Sequence, residues 1–152
     1  MTEKSNETNT NYEADLLAEI YRGAKMGVEA IDTLMPKVND KDMQTELMRE
    51  QKEYRKFEQK AMDEMNKRGV SIKSSAKLQE MASWIGLQMN TAIDSTSSHI
   101  ADILMQGNNM GIIGITKTMN RHNDADEKLL SLADNMVKTQ EQNVQNLKGF
   151  LG

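Results

Sequence analysis

The chain contains no cysteine, which excludes disulfides, thiolate metal sites and a cysteine nucleophile, and fits a reducing cytoplasm. A single proline and an aromatic content of 4% leave one strong helix breaker and few ring anchors. Only two histidines occur, His99 and His122, so imidazole chemistry has little to draw on. Acidic and basic residues are interleaved and the formal charge is −4. Without a dense Lys/Arg patch, nucleic acid is not an expected partner. Long apolar runs are missing as well. The nearest approach, 100–119, is interrupted by Asp102, Gln106, Asn108, Asn109 and Lys117, whereas a membrane span needs about 20 mostly apolar residues. Residues 1–11 are polar and lack the apolar centre of a secretory signal, and they read as a disordered N-terminal tail.

What is abundant points to helix. The 152 residues suit one domain, and Ala, Leu, Glu, Lys, Gln and 13 methionines dominate, all good helix formers. From Tyr12 the apolar positions Leu17, Ile20, Ala24, Val28, Ile31 and Met35 keep three-and-four spacing until Pro36, which predicts a helix over 12–35. Asn39 or Asp40 can cap a second helix, 40–68, whose stripe Met43, Leu47, Tyr54, Phe57, Ala61 and Met65 ends at Gly69. The next helical pattern runs from Ser75 to Arg121, on the order of 70 Å if unbroken. Its cheapest break is Asp94-Ser-Thr-Ser-Ser, whose side chains compete for backbone hydrogen bonds. The reading is therefore a connecting helix over 75–92 and a core helix over 96–120. Asp124-Ala-Asp-Glu127 resembles a capping box, with Asp124 as the cap of a last helix. Its stripe is Leu130, Ala133, Val137, Gln140, Val144, Leu147 and Leu151. The fold class is thus all-α, a single domain over 12–152: a four-helix bundle, up-down, with a long helical crossover between helices two and three.

Polar residues fall on the core stripes. Strict sevens through Met43 and Phe57 place Glu50 in line with the core, beside Tyr54. The same spacing through Ala133 and Leu147 brings in Gln140, and the core helix offers Gln106, Asn108 and Asn109 at a similar height. A polar layer of Glu50, Tyr54, Gln106, Asn108, Asn109 and Gln140 is expected across the middle, its members hydrogen-bonded to one another or to water. Gly107, Gly111 and Gly114 share a helix face, where each glycine costs about 0.5–1 kcal/mol relative to alanine. They are expected to offset that by close packing, with room for a ligand or a subunit contact as the other use.

With its order of helices, its long crossover bearing Trp84, and its apolar third helix interrupted by Gln106-Gly107-Asn108-Asn109, the chain resembles the ferritin-like superfamily, in particular its small uncharacterised bacterial members. The resemblance covers about residues 12–150 and rests on pattern. It implies a mid-bundle site for two metal ions, built from a Glu on each of two helices and a Glu-x-x-His on each of the other two. This chain departs from that set. Glu141-Gln-Asn-Val144 has valine where the histidine belongs, Glu50-Gln-Lys-Glu53 has no histidine, and where those relatives read Arg-Gly-Glu-Asp this sequence has the neutral Asn108 and Asn109.

Three functional readings follow. The first is a non-enzymatic bundle with a degenerate metal site and no cofactor, acting through protein binding or assembly, with a homodimer as the favoured oligomer. The second is a carboxylate-based iron or manganese protein, oxidase or storage, with Glu50, Glu53, His99, Asp102 and Glu141 as candidate ligands. The third is a spore-coat or stress-associated structural protein. Methionines spread over every helix read as core filling rather than a copper site, His122 reads as a basic residue at a helix end, and no serine lies in a triad pattern.

Overall fold

The computed structural model describes residues 2–72, 76–91 and 95–152, with side chains over 12–72, 79–80, 82–87 and 95–152. Among the described residues there are five α-helices and no strand: α1 (Thr2–Leu34), α2 (Lys41–Arg68), α3 (Ala76–Thr91), α4 (Ser97–Arg121) and α5 (Glu127–Lys148). The helix α1 begins at Thr2, ahead of the apolar stripe and within the stretch expected as a tail; Met1 lies outside the described residues.

Local chemistry sets the helix ends. A single 3-10 turn, Met35–Lys37, accommodates Pro36 and reverses the chain. Asp40 then caps α2, its side chain accepting from the Asp42 and Met43 amides at 2.8 and 3.1 Å, which satisfies donors that a helix start leaves without partners. Gly69 closes α2 in the left-handed conformation, φ 65°. Alanine there is strained, so Gly69→Ala is expected to cost about 1 kcal/mol, read as a lower urea midpoint. Thr96 caps α4 through the His99 amide at 3.3 Å, so the expected break falls at Ser95 and Thr96; positions 92–94 and 75 lie outside the described residues. The cap of α5 is Asp126 rather than Asp124. Its carboxylate accepts from the Lys128 amide at 2.8 Å, because the Ala125 amide already turns back onto the His122 carbonyl and helical geometry starts only after it.

Two sets of contacts fix the helix directions. Arg68, at the end of α2, reaches Glu13 of α1 at 3.0 Å and Asp126 at the start of α5 at 2.9 Å. The amide of Gly152, just past α5, donates to Ser98 at the start of α4 at 3.1 Å. Thus α2 runs antiparallel to α1 and α5, α4 runs antiparallel to α5, and α2 and α4 point the same way. The segment between them must traverse the length of the molecule, which is what α3 does, packed on α1. The core lies among α1, α2, α4 and α5, where Leu17, Ile31, Leu47, Ile115, Met136 and Leu147 are essentially inaccessible. Each such side chain contributes about 1.5–3 kcal/mol relative to exposure. No helix of the described residues is long and apolar enough to cross a membrane.

Candidate functional site

Halfway along the core the apolar packing gives way to hydrogen-bonded side chains. Helix α2 supplies Glu46, Glu50 and Tyr54 at four-residue intervals, one face of a helix. On α4 the contribution is Asn108, and on α5 it is Gln140, Asn143 and Asn146. Glu50, Tyr54, Asn108, Gln140 and Asn143 are all buried. Tyr54 Oη donates to Asn108 Oδ1 at 2.6 Å, and Asn143 Nδ2 donates to the same oxygen at 3.2 Å. Asn108 Nδ2 in turn donates to the Leu104 carbonyl at 2.8 Å. The network leaves the core through Arg49, which donates to Asn143 Oδ1 at 2.9 Å and to Glu46 at 2.6 Å. Asn146 also donates to Glu46, at 3.2 Å.

Electrostatics divides the two carboxyls that α2 brings to this layer. Burial raises Glu46, but hydrogen bonds from Arg49, Glu50 and Asn146 outweigh it and hold the group below the usual carboxylate range, so it is ionised. Glu50 has the opposite fate. It is 0% exposed, and no amide, guanidinium or hydroxyl donates to either of its oxygens. Burial first, then a hydrogen bond to Glu46 and the charge of that group one turn away, push it up to about 9 against the pull of Arg49. At neutral pH it is a protonated acid. Burial and then Glu50 also push the Tyr54 phenol up, which keeps it a neutral donor.

Two glycines make this layer possible. A Cβ at Gly27 would lie 2.5–2.6 Å from three atoms of the Tyr54 ring, and one at Gly111 would overlap the Gln140 amide. A Cβ at Gly114 would lie 3.1 Å from Glu19, whereas one at Gly107 would meet nothing within 4 Å. Of the three glycines expected to pack closely, Gly111 and Gly114 lie against side chains; Gly107, which borders a cavity together with Gly111, does not.

Of the residues expected in the polar layer, Glu50, Tyr54, Asn108 and Gln140 come together and two do not. Gln106 and Asn109 are exposed, and Gln106 donates to Asp102 at 3.2 Å. A helix turns about 100° per residue, so Asn108 alone of the run points inward. The candidate metal ligands are dispersed. Glu53 pairs with Lys56 at 3.1 Å, Asp102 and Glu141 are exposed, and His99 is half-buried with no partner for its Nε2. Among the described residues no three His, Asp or Glu side chains are gathered where they could hold a metal ion. The residues present therefore do not fit a two-metal carboxylate centre. Arg49, Glu46, Asn143 and Asn146 were not expected in the layer. Counting sevens from Leu129 through Met136 reaches Asn143 and is the signal that finds it.

No protein-family model matches this chain, and no curated protein or solved structure matches it either.

Proposed function

We propose that the chain is a ferritin-like four-helix bundle whose mid-bundle site is held by hydrogen bonds instead of metal, and that it acts by binding or assembly rather than by catalysis. The parallel α2 and α4 joined by a full-length crossover support the ferritin-like topology. The observation that carries the functional reading is Asn108. Its oxygen takes two donors and its amide nitrogen gives to a backbone carbonyl, so it has no lone pair free for a cation at the height where a metal-binding bundle places its ligands. A buried network satisfied in this way fixes how helices register against one another, which suits a scaffold.

The reading is tested by purifying the untagged chain from iron-supplemented cells and counting bound iron, manganese, zinc and copper by elemental mass spectrometry. Metal far below one per chain, with melting unchanged by chelator, is the expected result. Near-stoichiometric iron or manganese that disappears in Glu50→Gln would overturn the reading in favour of a carboxylate-based metal protein.

A further inference from the structure

The cavity bordered by Gly107 is a second feature of the same region. It lies between α1 and α4, with Gly23 and Gly27 on one wall and Gly107 and Gly111 on the other, and Trp84 and Ile85 of α3 also line it. Its volume is about 60 Å³ and its lining is predominantly apolar. Tyr54, Asn108 and Gln140 form its polar end. Two of these are already committed, since the Tyr54 hydroxyl donates to Asn108 and the Asn108 amide uses both its oxygen and its nitrogen. Gln140 is not. It is 2% exposed, and its Oε1 has no donor. A buried carbonyl oxygen without a donor costs about 1–3 kcal/mol.

We propose that this cavity binds a small, neutral, mainly apolar molecule carrying one hydrogen-bond donor, whose O–H or N–H donates to Gln140 Oε1. Each part of that description has its own cause. No charged side chain lines the cavity, which excludes an ion from a low-dielectric site where it would have no counter-charge. The apolar walls select hydrocarbon, with the Trp84 ring as a flat surface for an aromatic or alicyclic body. One acceptor without a donor selects one donor. The space of about 60 Å³ is under half the roughly 150 Å³ of an enclosed cavity that holds benzene, so it takes a short alcohol, or the hydroxyl-bearing edge of a phenol with the rest of the ring in the cavity mouth. The helical Gly107 then has a use. With no neighbour that a side chain would strike, its cost to α4 is unexplained by packing, and it is offset by leaving the ligand's place open. The proposal deepens the binding reading by naming a ligand class. It fails separately, because iron found at Glu50 would leave this cavity as it is.

The probes are phenol and benzene, of nearly equal shape, one with a donor and one without. Titration calorimetry and thermal shift on the full chain are expected to show phenol binding at least tenfold more tightly than benzene. Gln140→Met keeps the side chain's length and removes the acceptor, and it is expected to bring phenol down to the affinity of benzene. Gly107→Leu is expected to abolish binding of both with the helical circular dichroism unchanged. If that variant fails to fold, Gly107→Ala, whose methyl enters open space, is expected to weaken both ligands several-fold. No binding of either probe at millimolar concentration overturns the proposal, as does phenol affinity that survives Gln140→Met and the folded Gly107 variant.

Discussion

Glu50→Gln is expected to stabilise the protein increasingly as pH rises, with the two forms nearly equal near pH 4.5 and furthest apart near pH 9. In the folded state the Glu50 carboxyl is raised from its ordinary 4.5 to about 9, so folding takes up a proton throughout the interval between those values. Stability referable to this group is fully present below about 4.5, falls as pH rises toward the folded value, and levels off above about 9. At about 1.4 kcal/mol per pH unit, the ceiling on the loss by pH 8 is on the order of 5 kcal/mol, and relaxation or water entry reduces it. Glutamine keeps the volume and has no charge to bury. Glu46 works in the other direction and in another window: its group is depressed, so its contribution is present above the ordinary value and lost only as pH falls through the folded one. Urea denaturation of both proteins at pH 5, 7 and 8.5 reads the difference directly. A constant gap across that range would mean that Glu50 is ionised and paired in the folded protein, and the account of a neutral buried acid would fail.

The second large effect is a contrast between two glycines on facing helices. Gly27→Ala is expected to destabilise by about 3 kcal/mol, because its methyl meets the Tyr54 ring at 2.5 Å and overpacking a filled core costs about 1–3 kcal/mol. The ring cannot step aside freely. Its hydroxyl is one of two donors to Asn108, and displacing it leaves buried polar atoms unpaired, at about 1–3 kcal/mol more. The gain from placing alanine in a helix, about 0.5–1 kcal/mol, offsets only a fraction of this. Gly107→Ala receives that gain with no clash, since nothing lies within 4 Å of the added carbon. At about 2–4 °C per kcal/mol for a domain of this size, melting temperatures should move by roughly −10 °C and +1 to +4 °C. A rise for both variants would mean that the Tyr54 ring has an alternative place to pack.

Most helix positions were legible in the sequence, because periodic apolar spacing, Pro36, Asp40 and Gly69 act within a turn or two of where they stand. The capping-box pattern places the start of α5 two residues early. Asp124 and Asp126 are equally good caps in sequence, and only the His122–Ala125 turn decides which of them precedes the first helical residue. The buried face of α5 was also misjudged by one step. Val137 and Val144 are more apolar than Met136 and Asn143, yet both pairs flank the line through Ala133, Gln140 and Leu147. The packing against α2 and α4 turns Met136 and Asn143 inward and leaves the valines half-buried.

The candidate site followed the same division. Heptad spacing singled out Glu50 and Gln140 because a side chain in register with the core has nowhere else to go. It could not choose among Gln106, Asn108 and Asn109, since neighbours in sequence point 100° apart and the choice depends on how α4 is rotated about its axis. Nor could it find Arg49 and Glu46, which look like ordinary surface charges at a three-residue spacing until Asn143 and Asn146 of α5 come within reach of them.

By itself the sequence determined that the chain is helical, where most helices end, that thiol chemistry is absent, and that polar groups interrupt the core halfway along. These are properties of short stretches, governed by backbone propensity, side-chain periodicity and elemental composition. The tertiary structure alone decided which polar groups meet, which carboxyl of the layer is neutral, that the proposed metal ligands are scattered, and that a side chain at Gly107 would meet open space while one at Gly27 or Gly111 would strike Tyr54 or Gln140. Those outcomes depend on the rotation and height of one helix against another, and contacts between residues distant in the chain set both.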